Sequence, residues 1–209
     1  MKPLLFWVGA SVDPYLTHRE LWRGLAWKAV TVSDNDATAE LWSLVGEEQL
    51  LALIRDQTGI SWRTDGQGEH PSLRVLVTAS ELAAAFAAFA RDDRDVAAEL
   101  RGWMRDVPVG QTFGVRGEAC EVLGVAEGVV GVKCGWFGLE RAHAVTLVQF
   151  SGRSIGAIVT TFRPPDAASR DALAEARRSA EALVAAHDEF FGASIRSATR
   201  HALQVAADL

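Results

Sequence analysis

The sequence predicts an α+β protein in which helices come first, an antiparallel sheet follows and a helix closes the chain. Three observations carry that reading. Apolar residues recur at three- and four-residue intervals through the first half; from Val107 onward the period changes to β-rich runs; and Pro164-Pro165 opens a last amphipathic stretch.

The elements follow in order. Leu4 to Val12, Leu16 to Val30, Ala37 to Val45 and Glu47 to Asp56 carry helical spacing, with Gly46 and Gly59 placed as stops. Ile60 to Leu73 contains Asp65-Gly66, Gly68 and His70-Pro71 without periodicity, and reads as a long irregular loop. Thr78 and Glu81 have capping-box spacing ahead of an Ala- and Phe-rich helix to Ala90, and a further helix covers Val96 to Arg105. Pro108 and Gly110 end that helix. Three β-rich runs come next, Gly117 to Cys134 (split by Gly124 and Gly128), Ala142 to Phe150 and Ser154 to Phe162. Gly152-Arg153 is a tight-turn signal that makes the second and third runs antiparallel neighbours. After Pro165, Leu173, Ala176, Ala180, Leu183, Val184 and His187 line one face of a long helix. Residues 1–209 are therefore expected to form one unit, with 1–106 a mainly helical lobe and 107–209 an antiparallel sheet with C-terminal helices.

Composition narrows the function classes. With 209 residues, 49% hydrophobic, 23% charged, and only 18 Gly and 6 Pro, the chain is globular rather than disordered or collagen-like. Twenty-one Lys and Arg against 27 Asp and Glu give a formal charge of −6, and the basic residues are scattered, which argues against nucleic acid as a partner. The longest apolar stretch, Leu82 to Ala90, is far short of a membrane span. Cys120 and Cys134 are too few for a disulfide framework and lack the spacing of a zinc site; His18, His187 and His201 fall on helices without companion ligands. No metal and no cofactor is expected. Met1 to Ala10 has one Lys and a short, interrupted apolar core, a poor signal peptide, so the expected location is cytoplasmic, or secreted if a longer N-terminus exists. The seven Trp read as core and cleft-wall residues.

Two short motifs stand out. Ser33-Asp34-Asn35 precedes a helix, and the plain reading is that Ser33 or Asp34 caps it. A hundred residues later, Lys133-Cys134-Gly135 ends a strand, where a lone Lys is ordinarily a solvated strand terminus. A Ser-Asp-Asn triplet at a helix start followed by Lys-x-Gly on a strand leading into a hairpin resembles the penicillin-recognising serine hydrolases, the class A β-lactamases and penicillin-binding proteins. The wider text agrees. Val32 to Trp42 with Val45-Gly46 looks like the helix after the triplet, and Thr78-Ala79-Ser80 resembles the start of a later helix.

The resemblance implies a β-lactamase/transpeptidase-like fold and acyl transfer on an amide or ester, with a small molecule or peptide as substrate. It also implies roles for matching residues. Ser33 would relay a proton to the leaving nitrogen, Asn35 would hold the substrate's amide side chain, and Lys133 would supply positive potential to Ser33 and to an anionic substrate across a cleft between helical lobe and sheet. The main-chain N–H of Trp136, just past Gly135, would be one oxyanion donor. Arg141 or His143 would take over an anion, against the plainer reading of solvated or packed strand residues, which we favour for His143. Glu69 is the candidate deacylation base, against the plainer reading of a surface-loop carboxylate.

The sequence departs from the family's pattern twice. No Ser-x-x-Lys occurs in the 209 residues, yet Met1-Lys2-Pro3-Leu4-Leu5 looks like the end of such a motif running into its helix, which would make Lys2 the motif lysine. The expectation is a truncated chain, inactive as given, whose nucleophilic serine stands upstream and whose first strands are missing. The edge so exposed would invite self-association. The second departure is Cys134 where the family has Thr, a weaker donor to a substrate carboxylate. An alternative within the same fold is an inactive carboxylate- or peptide-binding module. A third reading treats the triplet as a cap and Lys-x-Gly as coincidence.

Overall fold

The computed structural model describes residues 1–12, 15, 17–64, 75–124, 129–137, 141–149, 155–162, 171 and 191–207. They fall into two compact units, Met1–Asp106 and Val107–Leu209. Helices with one antiparallel three-stranded sheet make the α+β composition expected from the period change.

The first unit is helical. α1 (Lys2–Gly9) has Pro3 in its first turn, where a missing N–H costs nothing. It is buried all round through Leu4, Leu5, Phe6, Trp7 and Val8, so it forms the centre of the unit rather than an amphipathic flank. α2 (Arg19–Thr31) buries Trp22, Leu25, Ala26, Ala29 and Val30, the spacing of a single helical face. Gly9 has a steric reason. A Cβ there would stand 2.4 Å from the Trp22 ring, which also meets Phe6 edge-on at 5.4 Å.

α3 (Asn35–Val45) and α4 (Glu47–Thr58) join at Gly46, and α4 stops at left-handed Gly59, as the two stop glycines predict. The expected irregular stretch is bracketed by a short antiparallel ladder of β1 (Arg63–Thr64) and β2 (Val75–Leu76); residues 65–74 lie outside the described residues. α5 (Ala79–Arg91) opens on the predicted capping box. Thr78 Oγ1 accepts from Glu81 N–H at 3.2 Å and Glu81 Oε2 accepts from Thr78 N–H at 2.8 Å. α6 (Asp95–Arg105) completes the unit. Among the described residues no helix is long and apolar enough to cross a membrane.

The second unit corrects one expectation. Gly117 to Cys134 is not a split β run: α7 (Val115–Leu123) occupies its first part, and the strand begins at Val129. Left-handed Gly114 and Gly124 bound that helix, and Val115 and Ala119, one turn apart, pack inward. The β-branched residues suggested a strand, while the four-residue repeat and flanking glycines decide for a helix.

β3 (Val129–Phe137), β4 (Arg141–Gln149) and β5 (Ile155–Phe162) pair antiparallel in the order β3-β4-β5, as the turn signal at Gly152-Arg153 implies; those two residues are themselves undescribed. Val132 and Cys134 of β3 and Ala142, Ala144 and Val148 of β4 form a core with Phe191 and with Ile195 and Leu203 of α8 (Ala193–Ala207). A register shift between Val129 and Gly131 lets Val129 join the same core despite its odd number. Arg200 of α8 ties to Glu118 and Glu121 of α7 at 2.6 and 2.7 Å. The helix predicted over Leu173 to His187 lies outside the described residues.

Candidate active site

The Ser-Asp-Asn turn is built by two helix ends meeting almost without a linker. Val32 closes α2 with its N–H on Lys28 O at 3.1 Å, and Asp34 N–H reaches back to the same carbonyl at 3.2 Å. Asp34 caps α3. Its carboxylate accepts from Ala37 N–H at 3.0 Å, and Thr38 Oγ1 donates to its carbonyl at 2.9 Å. Of the two cap candidates, the duty therefore falls to Asp34. Ser33 is left between the two caps at φ 60, in the left-handed region where glycine is the inexpensive residue.

Lys2, the first residue of α1, points its ammonium at this turn. Nζ donates to Ser33 O, to Asp34 O at 2.9 Å and to Asn35 Oδ1 at 2.7 Å. An ammonium has three N–H donors, and here three oxygens of one turn receive it. Lys2, Ser33 and Asn35 are thus assembled within the first unit.

The second unit carries the other motif. Strand alternation turns Cys134 into the α7/α8 core, which puts Lys133 and Gly135 on the opposite face of β3. Lys133 is 6% exposed and donates from Nζ to Cys134 O at 2.8 Å. Burial pulls its ammonium down to about 8, and the Cys134 thiol beside it acts in the other direction. Cys134 is 3% exposed, its Sγ donates to Thr112 O at 3.4 Å, and burial pushes its thiol up to about 12, against the pull of Lys133 and Arg116.

Gly135 stands opposite half-buried His143, whose Nε2 would lie 3.1 Å from a Cβ at that position; the imidazole packs on the glycine, as a packed strand residue does. Trp136 pairs with Ala142, and Arg141 opens β4 opposite Phe137. Glu69 lies outside the described residues. Among the described residues no group of three or more His, Cys, Asp or Glu is placed to hold a metal ion.

Sequence reasoning named side chains and so missed two kinds of partner. The main-chain oxygens of Ser33 and Asp34 receive Lys2, and the Thr112 carbonyl receives the Cys134 thiol; no residue type announces a carbonyl. The strand period did offer one usable signal, since Val132, Cys134 and Trp136 alternate with Lys133 and Gly135.

Solved structures similar to this chain include β-lactamases. One from Burkholderia vietnamiensis superposes with a TM-score of 0.59 at 18% identity, covering 88% of this chain and 62% of that one. One from Burkholderia ambifaria gives 0.58 at 19% identity, with 88% and 65% covered. The class A β-lactamase from Mycobacterium abscessus gives 0.56 at 17% identity, with 87% and 64% covered. At these identities the likeness establishes the fold, and the chain spans less than two thirds of the length of each of these enzymes. No curated protein matches it. The family model described as the beta-lactamase enzyme family matches residues 15–185, most of the chain. On that match, together with the shared fold, the chain belongs to the β-lactamase enzyme family.

Proposed function

We propose that this chain is a serine hydrolase-type acyl-transfer domain acting on a small amide, ester or peptide that carries a carboxylate. The observation that carries the reading is the convergence of Lys2 on Ser33, Asp34 and Asn35. A serine held at φ 60 where glycine would be cheaper is a residue kept for its hydroxyl, and an ammonium beside it favours negative charge arriving there.

In this reading the nucleophile is a serine three residues ahead of Lys2 in the natural polypeptide. Its hydroxyl oxygen bonds to the acyl carbon as its proton moves to the Ser33 hydroxyl, the C–N or C–O bond breaks, and Ser33 gives its own proton to the leaving nitrogen or oxygen. Asn35 orients the substrate amide, Lys133 and Arg141 attract the carboxylate, and the Trp136 N–H receives the oxyanion. Glu69 is the candidate base for the water that releases the acyl group. Cys134, with its thiol turned to Thr112 O, contributes its main chain beside Gly135 rather than its side chain.

A second reading, an inactive carboxylate- or peptide-binding module, is favoured by one observation: the residue after Lys133 is a buried thiol turned to Thr112 O, where the family has a hydroxyl. Incubating the natural gene product with fluorescent penicillin, followed by denaturing electrophoresis, separates the two. Acyl transfer gives a covalent label that falls at least about 100-fold in Ser33→Ala and in Lys133→Ala, the loss typical of removing a transition-state contact. Reversible binding without a covalent label supports the module, and unchanged labelling in Lys133→Ala removes that residue from the reading.

A further inference from the structure

We infer that Arg196 of α8 is a positioning residue for the Lys133-Cys134-Gly135 strand: its guanidinium fixes the central peptide of the Thr112–Val115 turn, and that turn presents the Thr112 carbonyl to Cys134 Sγ. The inference rests on geometry within the second unit and goes beyond the acyl-transfer reading; it survives if that reading fails.

The sequence puts Thr112-Phe113-Gly114-Val115 at the entrance to α7. Val115 N–H donates to Thr112 O at 2.9 Å, with Phe113 at φ 49 and Gly114 at φ 70 between them. Two left-handed central residues make a turn of the I′ kind, which favours Gly, Asn or Asp at both positions. Gly114 suits it, whereas Phe113 is a bulky residue at an unfavourable angle. Phe113 is kept for packing, being 1% exposed in the core with Ile195 and Leu203 of α8.

Turns of types I′ and II′ share a positive φ at the first central residue and differ at the second, so rotating the peptide between them interconverts the two. Arg196 opposes that rotation, because its Nη1 donates to the carbonyl of this peptide, Phe113 O, at 2.9 Å. Gly114 is also what lets the arginine pass, since a Cβ there would stand 2.9 Å from Arg196 Cδ. On the other side, Thr112 O accepts from Cys134 Sγ at 3.4 Å beside its bond from Val115, and Thr112 Oγ1 donates to Val109 O at 2.8 Å. The turn is thus a bracket between α8 and β3. Cys134 held inward keeps Lys133 and Gly135 on the opposite face of the strand. α8 begins past residue 185, where the family match ends, so the tie comes from a helix outside the matched residues.

Labelling of Cys134 by iodoacetamide, on the full chain in a Cys120→Ser background, tests this without any substrate, so its outcome is independent of the penicillin experiment. Arg196→Met keeps the stem and drops the guanidinium. It is expected to speed labelling about tenfold beyond the rise in its unfolding constant measured in urea, the factor set by one charge-assisted hydrogen bond. Arg196→Lys, which keeps a donor, restores at least half of the lost protection. Arg200→Met removes the ion pairs of α8 to Glu118 and Glu121 and leaves the turn's own bonds in place, so its labelling rises only as its unfolding constant does. Labelling of Arg196→Met that merely tracks its unfolding constant would overturn the proposal, as would the same excess in Arg200→Met. If Arg196→Met does not fold, Gly114→Ala, whose Cβ displaces the arginine stem, takes its place in the comparison, and failure of both to fold counts against the proposal.

Discussion

Lys2 and Lys133 each end on backbone carbonyls, in opposite settings. Lys2 starts a helix, is half-buried, and spends its donors on a turn remote in sequence. Lys133 lies mid-strand, is 6% exposed, and folds onto the carbonyl of its own neighbour. The first lysine's charge meets two backbone carbonyls of a turn whose serine is left-handed. The second's is held in a poorly solvated place, so that burial brings its titration down to about 8. Charge spread over hydrogen bonds to a remote turn and charge kept at an electrostatic cost leave different marks under mutation and pH. The units around them differ likewise, since the first is centred on an apolar helix and the second carries an ammonium and a thiol on one strand.

The largest expected effect tests the apolar centre of the first unit. Gly9→Ala drives a Cβ to 2.4 Å from the Trp22 ring, which is itself pinned against Phe6 and Tyr15. Ala is the better helix former, yet overpacking a rigid ring dominates, and urea unfolding should show a net loss of about 3 kcal/mol. A neutral outcome would mean that the packing is not what selects glycine there.

Lys133→Met tests the second unit in the opposite direction. It removes a buried charge while keeping the stem, so stability at pH 7 should rise by about 2 kcal/mol. The sign with pH follows from linkage. A lysine titrating near 8 when folded and near 10.5 when unfolded leaves the unfolded state with more bound protons between those values, so wild-type stability rises with pH across that window. In Lys133→Met that rise disappears. A variant less stable than the wild type at pH 7 would show that the ammonium has a structural use outweighing its desolvation.

The same contrast explains what was legible in the sequence. Helix stops at Gly46 and Gly59, the Thr78–Glu81 box and the β4–β5 neighbourhood were readable because each is a local rule carried by a few residues. Val115–Leu123 was misread because Val and Cys suggest a strand, whereas packing against β3 and α8 selects the four-residue repeat. The motif residues Ser33, Asn35 and Lys133 were legible as residue types. Their environments were not: neither the left-handed serine nor the burial of Lys133 is written in a composition or a period, because both arise from where the rest of the chain packs.

Smaller effects sharpen the comparison. Thr78→Ala removes one half of the α5 capping box and should cost about 1 kcal/mol, with little pH dependence above the carboxylate range. Glu81 is held below its usual carboxylate value by its bonds from Thr78, so the wild type gains that contribution above the ordinary carboxylate pKa and loses it as pH falls through the lowered one. Unfolding below pH 5 should therefore show a steeper acid loss in the wild type than in Thr78→Ala.

The smallest stability change at neutral pH, and the sharpest diagnostic, belongs to Cys134→Thr. A hydroxyl can replace the thiol as donor to Thr112 O, so the change at pH 7 should stay within about 1 kcal/mol. At high pH the two residues separate. Cys134 titrates near 12 when folded against 9.0 when unfolded, so the folded state binds the extra proton in that window and wild-type stability falls as pH rises through it. Between about 9 and 10.5 this fall opposes the rise contributed by Lys133, and the wild-type curve should climb from pH 8 to 9 and then flatten. Cys134→Thr removes the opposing slope, so its stability should go on climbing to about pH 10.5 on the strength of Lys133 alone. Denaturant unfolding of both proteins from pH 7 to 10.5 measures the divergence. Parallel curves would mean that the thiol does not titrate from the buried position the fold gives it.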